Sequence, residues 1–315
     1  MEKRRLGQSD LHIAPLMLGG NVLGWNVDQP TSFALLDAFV AAGFNAIDTA
    51  DTYSRWVSGH KGGESETVIG NWFKASGKRD QVLIATKVGE DMGEGRNLKK
   101  DYILRAAEAS LRRLQTDRID LYQTHFDDAV TPPEETLAAY AELIAQGKVR
   151  AIGASNIGAA RLQDSLQASK RLGIARYESL QPLYNLYDRK GFETDYAPIC
   201  KQENIGVITY YSLAAGFLTG KYRSAADSAK SAARGGRVKQ YLDARGVRIL
   251  TALDQVAARH AATPAQVSLA WLISRPSVTA PIVSATSLKQ LDEILKAPQL
   301  KLAREDIAAL DGASA

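Results

Sequence analysis

The chain has 315 residues, 45% of them hydrophobic and 23% charged, which is ordinary globular composition. Its net charge of +4 is too small to argue for nucleic acid, although it suits an anionic small ligand. A single cysteine, Cys200, rules out an internal disulfide, and with only four histidines a Cys/His metal cage is not expected.

The opening Met1 to Gly7 lacks the apolar core of a signal peptide, and no apolar run approaches the ~18 residues of a membrane span. A cytoplasmic location, with neither membrane nor nucleic acid as partner, is therefore expected, in keeping with the lone thiol. Arg4-Arg5-Leu6 and Leu11-His12-Ile13 flank the turn signal Gly7-Gln8-Ser9-Asp10 and predict a hairpin. Pro15 to Leu18 reads as a first strand ending at Gly19-Gly20, with Trp25 in the loop beyond. A helix follows from about Thr31, with Phe33, Leu36, Phe39 and Val40 on one face and Gly43 at its end.

The second strand is the apolar run Phe44 to Ile47. It turns polar at once, and Asp48, Asp51 and Tyr53 fall where the strand runs out. A loop through Trp56 and His60 to Gly62-Gly63 leads to a helix carrying Val68, Ile69, Trp72 and Phe73. Gln81 to Lys87 is the third strand, with a lysine at its polar end; a Gly-rich charged loop and a helix with Ile103, Ala107, Leu111 and Leu114 follow. The fourth strand, Ile119 to Gln123, is followed by Thr124-His125-Phe126-Asp127. Thr131-Pro132-Pro133-Glu134 reads as a capping box opening a helix with Leu137, Tyr140 and Ile144 inward, stopped by Gly147.

Val149 to Ala154 is the fifth strand, with Ser155-Asn156 at its exit and a helix through Leu162 and Leu166 behind it. Tyr177 to Leu180 is the sixth, exiting at Gln181-Pro182. After a helix over Ala197 to Lys201 comes the seventh strand, Gly206 to Tyr210. The long segment Leu213 to Arg245 has little apolar periodicity, and a loop of that length is usually functional or mobile. Val247, Leu250, Leu253 and Val256 mark the next helix, and Thr263-Pro264 starts another with Leu269, Trp271 and Leu272. Val278 to Val283 is the eighth strand, and Leu288, Leu291, Ile294 and Leu295 form the closing helix.

Eight strand-then-helix units predict one domain over residues 1–315. The expected architecture is a closed parallel (β/α)8 TIM barrel with an N-terminal hairpin and a long loop after the seventh strand. Chemistry in such a barrel sits at the C-terminal edge of the strands. The exits of strands two, three and four bring Asp48 and Tyr53, Lys87, and His125 to one mouth. That set suits proton delivery to a carbonyl oxygen. A phenol donates poorly at neutral pH, a lysine cation beside it lowers its pKa, and an aspartate holds the lysine charged. A histidine orients the substrate oxygen.

At these positions the sequence resembles the aldo-keto reductases. The matching stretches are Asn45-Ala46-Ile47-Asp48-Thr49-Ala50-Asp51-Thr52-Tyr53, Ala85-Thr86-Lys87, Tyr122-Gln123-Thr124-His125, Gly153-Ala154-Ser155-Asn156, Leu180-Gln181-Pro182-Leu183-Tyr184-Asn185 and Gly216-Phe217-Leu218-Thr219-Gly220-Lys221-Tyr222. The resemblance implies carbonyl reduction by hydride from a nicotinamide cofactor bound at the mouth. Tyr53 is then the general acid, tuned by Lys87 and Asp48, with His125 orienting the carbonyl.

The same resemblance implies a cofactor site. Ser155, Asn156 and Gln181 meet the carboxamide, with Gly20 and Asp48 alongside. Tyr210 or Tyr211 stacks on the nicotinamide ring, because Tyr210-Tyr211-Ser212-Leu213 stands where many relatives read Tyr-Ser-Pro-Leu. Leu213 to Lys221, with Ala214 and Gly216 in it, resembles the pyrophosphate-binding stretch, and Ser212 and Arg223 on either side are further cofactor residues. Ser284, Thr286 and Ser287 stand where relatives often place a Lys or Arg for the 2′-phosphate, and Gln290 and Glu293 match the adenine pattern. No Gly-x-Gly-x-x-Gly follows the first strand, against a Rossmann site. The basic loop and the absence of an acid between Val283 and Leu291 favour NADP(H), with NAD(H) accommodated.

The substrate is a small carbonyl compound, and Trp25, Trp56 and Phe126 are placed to wall its pocket. Two other roles compete. Lys87 as a Schiff-base nucleophile would make an aldolase, but leaves Ser155, Asn156 and Gln181 unexplained. Relatives that act as channel β subunits keep the fold and cofactor as regulators, and the loop Asn21 to Asn26 resembles theirs.

Overall fold

The computed structural model describes residues 2–224, 226–227 and 235–315. A two-stranded antiparallel hairpin, β1 (Arg4–Arg5) and β2 (His12–Ile13), opens the chain, with Arg4 opposite Ile13. Eight parallel strands then close into a barrel: β3 (Met17–Gly19), β4 (Ala46–Asp48), β5 (Leu83–Val88), β6 (Ile119–Thr124), β7 (Val149–Ser155), β8 (Tyr177–Gln181), β9 (Gly206–Thr209) and β10 (Val278–Val283). Closure is by β10 beside β3, with Ile282 opposite Met17 and Val283 opposite Leu18.

Two apolar layers follow from this closure. Inside the barrel Met17, Ala46, Ala85, Leu121, Ala151, Ile208 and Ala280 pack with Leu6, Leu11 and Ile13 of the hairpin segment. The hairpin therefore plugs the end where the strands begin. Leu6 approaches the first residue of β9 so closely that a side chain on Gly206 would come 2.6 Å from its Cδ1. Outside, the strands face helices, so their residues are buried on both sides and read as near-continuous apolar runs.

The helices are α1 (Gln29–Ala41), α2 (Glu64–Ser76), α3 (Lys100–Leu114), α4 (Pro133–Ala145), α5 (Ala159–Leu172), α6 (Ala197–Glu203), the single turn α7 (Gly235–Val238), α8 (Ala244–Arg259), α9 (Pro264–Ile273), α10 (Leu288–Ile294) and α11 (Arg304–Ser314). Asp28 caps α1 by accepting from the Thr31 N–H, and Thr263 with Gln266 forms a reciprocal capping box on α9. Among the described residues no helix is long and apolar enough to cross a membrane.

Four local expectations need correction. Thr131 does not cap α4: its hydroxyl donates instead to Asp128 Oδ2 at 2.5 Å, a stronger acceptor close at hand, and Pro132 stands at the cap. Val247 is exposed, and α8 turns Ile249, Leu250, Leu253 and Val256 inward. The chain does not close with α10, since α11 follows. Its Asp306 pairs with Arg259 and His260 at 2.6 Å, and its Leu310 is buried. The segment after β9 is not a plain loop: Phe217, Leu218, Tyr222, Val238 and Tyr241 are buried within it. Two basic residues of this segment, Lys230 and Arg234, lie outside the described residues.

Candidate active site

Parallel register places the site residues on one rim. Asp48 is the last residue of β4 and pairs in register with Ala85, two residues before Lys87. Lys87 pairs with Gln123, two residues before His125. Ser155 and Gln181, the last residues of β7 and β8, pair with each other. Side chains two apart on a strand share a face, so Asp48, Lys87, Gln123 and Gln181 converge inside the mouth.

Lys87 is wholly buried, and its Nζ donates to three oxygens: Asp48 Oδ2 at 2.7 Å, the Thr49 carbonyl at 2.7 Å and Tyr53 Oη at 3.1 Å. All three ammonium protons are thus used. The second carboxylate oxygen of Asp48 accepts from Gln181 Nε2 at 2.8 Å, and Gln181 also reaches Gln123 Oε1 at 3.4 Å. Burial alone would lower the Lys87 pKa, but the Asp48 carboxylate and the Tyr53 hydroxyl carry it above its ordinary value. The amine stays a cation. That state suits electrostatic assistance and disfavours a nucleophilic amine.

Tyr53 departs from the expected direction. Burial raises its pKa, and the Lys87 cation offsets only part of that rise, so the phenol lies above 10.0 instead of below it. Desolvation of the anionic form outweighs the single cation at 3.1 Å. The group is consequently loaded with its proton at neutral pH. His125 moves the other way: burial, then Lys87 and Arg96, push it well below 6.5 and keep the ring neutral. Its buried Nδ1 has no hydrogen-bond partner among the described residues.

The aromatic residues form an arc around this centre. Ring centroids run Trp25 to Trp56 at 5.9 Å, Trp56 to Tyr53 at 5.6 Å, Tyr53 to His125 at 5.9 Å and His125 to Phe126 at 5.1 Å. Trp56 is 53% exposed, so its face is available. Arg96 covers Phe126 with its guanidinium 4.2 Å from the ring centre.

Asn156 sits at the centre of the β7 exit with a left-handed backbone, φ 45°. It donates to the His125 carbonyl at 2.9 Å and to Ser155 Oγ at 3.1 Å, and accepts from the Tyr210 hydroxyl at 3.0 Å. Ser155 Oγ donates to the Gln181 carbonyl at 2.9 Å. Ser155, Asn156, Gln181 and Tyr210 are therefore one connected group. Tyr211 stands outside it, 37% exposed, under the Arg237 guanidinium. Gly20 lies against Asp48, where a Cβ would come 2.9 Å from the Asp48 carbonyl oxygen.

Beyond β9 the backbone turns left-handed at Ala214, Ala215 and Gly216 in succession, with φ of 47°, 55° and 96°. Ser212 is buried, its hydroxyl donating to the Ile282 carbonyl at 2.7 Å, and Leu213 is half-buried beside it. Lys221 is exposed with its ammonium over the Tyr222 ring, whereas Arg223 forms a two-pronged bridge to Asp254 at 2.7 and 2.8 Å. At the β10 exit Ser284 donates to Asn21 Oδ1 at 2.5 Å, Thr286 donates to Gln290 Oε1 at 3.0 Å, and Ser287 caps α10. Glu293 accepts from Thr263. This group lies at a different strand exit from Asp48, Tyr53, Lys87 and His125.

Sequence reasoning missed two participants. The Thr49 carbonyl completes the cage around Lys87, and a backbone oxygen carries no sequence signal. Gln123 has its Nε2 buried without a partner among the described residues. A polar residue in a buried strand, two places before His125, was its available sign.

A family model described as the aldo/keto reductase family matches residues 15–315. The chain is 32% identical over 320 residues to the uncharacterized oxidoreductase YrpG of Bacillus subtilis, covering 99% of this chain and 95% of that protein. It is 32% identical over 317 residues to the aldo-keto reductase YhdN of the same organism, covering 97% and 88%. A probable voltage-gated potassium channel subunit beta of Arabidopsis thaliana is 30% identical over 310 residues, covering 94% and 91%.

Proposed function

The chain belongs to the aldo/keto reductase family and is an oxidoreductase; we propose that it reduces aldehydes or ketones to alcohols, with Tyr53 as the proton donor. The observation that carries this reading is the buried line Asp48, Lys87, Tyr53, in which one fixed cation touches the phenol oxygen at 3.1 Å. A reduced nicotinamide dinucleotide, when bound, supplies the hydride for the carbonyl carbon. Tyr53 gives its proton to the carbonyl oxygen, and Lys87 stabilises the phenolate left behind. Asp48 keeps Lys87 charged and in place. Neutral His125 directs a ring N–H at the substrate oxygen and fixes it within reach of the phenol. The phenol is raised in pKa before substrate enters, so it holds its proton until an oxygen that gains charge draws it away.

The residues fit a dinucleotide. Leu213 at φ −109° followed by left-handed Ala214 at φ 47° alternates hand as anion-binding nests do, and strained left-handed alanines are characteristic of functional segments. The orphaned Gln123 amide and the Ser155, Asn156 and Gln181 side chains offer donors and acceptors for a carboxamide, and Tyr210 an aromatic face. Ser284, Thr286, Ser287 and the basic loop favour NADP(H) over NAD(H). The arc of Trp25, Trp56 and Phe126 favours apolar or aryl carbonyl substrates. We read residues 1–315 as one catalytic domain acting in the cytoplasm.

A regulatory role is the second reading, favoured by the relative named as a potassium channel subunit beta. Turnover separates the two. An enzyme consumes NADPH with 4-nitrobenzaldehyde at a steady rate; binding of NADPH without turnover of activated aldehydes supports regulation instead.

A further inference from the structure

Tyr53 and Trp56 ride on one loop between β4 and α2, and most of that loop meets solvent. Arg55, Trp56, Ser58, Gly59 and Lys61 are exposed. Its own backbone bonds are local turns: Arg55 to Thr52, Val57 to Ser54 and His60 to Val57. Such turns shape a loop without fixing where it sits. Arg55 Nη1 donates to the Asp91 carbonyl at 2.8 Å and Lys87 Nζ to Tyr53 Oη at 3.1 Å, but the loop's own N–H groups are gathered by one side chain, at the first position of α2.

The Glu64 carboxylate gathers the loop from both ends. Oε2 accepts from the Ser54 N–H at 3.0 Å, Oε1 from the Lys61 N–H at 2.8 Å, and the Gly62 N–H reaches both oxygens at 3.1 and 3.3 Å. His60 lies 3.8 Å from the same carboxylate and 2.9 Å from the buried Ser54 hydroxyl. Bonds to an ionised acceptor are among the stronger hydrogen bonds. The positive end of the α2 dipole further favours an anion at this position.

Glu64 also borders the other half of the aromatic wall. Gly24, φ 80°, approaches so closely that a Cβ there would come 3.3 Å from Glu64 Cβ and its carbonyl oxygen. Trp25 follows Gly24 directly and meets Trp56 edge to face. One further bond reaches the acid itself: the Ser65 N–H donates to the Tyr53 carbonyl at 3.2 Å. A shift of Glu64 would thus be felt at Tyr53, Trp56 and Trp25 together.

We propose that Glu64 is a positioning residue for the reaction, whose carboxylate clasps the 53–63 loop and holds the Tyr53 phenol and the Trp25–Trp56 wall where reduction needs them. Glu64 touches neither the phenol nor a reacting atom. Its effect passes through Ser54, Lys61 and Gly62. The proposal rests on Tyr53 being the proton donor.

The test compares Glu64→Ala, Glu64→Gln and Glu64→Asp with wild type, using NADPH with 4-nitrobenzaldehyde and with propanal. A misplaced donor lowers kcat by about 10- to 100-fold, the scale of an ångström's displacement in a catalytic group. The KM for the aryl aldehyde is expected to rise more than that for propanal, because only the aryl ring uses the tryptophan wall. Binding of NADPH, followed by fluorescence, stays within twofold. Glu64→Asp recovers part of kcat, and Lys61→Ala, which keeps the N–H, leaves both constants unchanged. A role limited to stability would lower the melting temperature and leave kcat per folded molecule and the KM ratio untouched, and that result overturns the proposal. Should Glu64→Ala fail to fold, Glu64→Gln decides: it presents an amide to N–H groups that need acceptors, and an unchanged kcat contradicts the clasp. If Tyr53→Phe retains full turnover, the donor assignment fails; if Tyr53→Phe is inactive while Glu64→Gln is normal, only this proposal fails.

Discussion

Lys87 Nζ lies 2.7 Å from Asp48 Oδ2, and neither side chain is reached by solvent to any useful extent. A buried ion pair recovers its desolvation cost only with good geometry and satisfied neighbours. Here the Thr49 carbonyl and the Gln181 amide complete both partners. Removing one member strands the other. Asp48→Ala is expected to destabilise the fold by about 3–5 kcal/mol in urea unfolding at pH 7, whereas a loss below about 1 kcal/mol would show that the pair is not held as described.

The lysine itself gives a chemical test. Lys87→Met removes the cation beside the phenol and leaves Asp48 unpaired, so turnover is expected to fall by about 100-fold or more. Borohydride added to wild type with a keto substrate should leave Lys87 unmodified, because all three of its protons are engaged. A covalent adduct on Lys87, detected by mass spectrometry, would favour an aldolase.

Asp51 makes a prediction about pH. Burial, with Glu66 nearby, pushes its carboxyl from 3.8 up to about 8, and its Oδ1 has no hydrogen-bond partner among the described residues. It lines a cleft of about 330 Å³ with Tyr102, Arg105 and Arg113. Between those two values the folded chain keeps a proton that the unfolded chain has lost. Stability attributable to this group therefore declines as pH rises through that window, by roughly 1 kcal/mol per unit, and levels off above pH 8. Asp51→Asn should flatten that slope and stabilise the protein at pH 8. Parallel urea curves for the two proteins, at pH 5 and at pH 8, would contradict it.

Cofactor choice follows from the β10 exit. Thr286 there donates its hydroxyl to Gln290 Oε1, Ser287 Oγ accepts from the Gln290 N–H, and no arginine stands at position 287. NADPH is expected to bind more tightly than NADH, but by a smaller margin than an Arg at that position would give. Fluorescence titrations at matched ionic strength measure the ratio, and tighter binding of NADH reverses the assignment.

The barrel was legible because strands buried on both faces read as short apolar runs, and polar residues at their ends then stand out. Asp48, Lys87 and His125 were visible on that ground. The direction of the Tyr53 pKa was not, because the sequence names the neighbouring cation and says nothing of how deeply the phenol is desolvated. Gln181 could be read toward a cofactor but not toward Asp48, a partner 133 positions away. Thr131 misled because its capping pattern competes with Asp128, whose carboxylate is nearer and charged. Glu64 was invisible for a plainer reason: an acid in the first turn of a helix is ordinary, and only the folded loop shows three N–H groups converging on it.

Tyr53→Phe tests the central claim most directly, because it deletes one hydroxyl and keeps the ring that packs against Trp56 and His125. Wild type and variant are compared for NADPH binding by fluorescence and for reduction of 4-nitrobenzaldehyde. The expected result is cofactor affinity within twofold of wild type and turnover lower by ~100-fold or more, the scale of a lost general acid. A folded Tyr53→Phe protein that reduces the aldehyde at near wild-type rate would contradict the account.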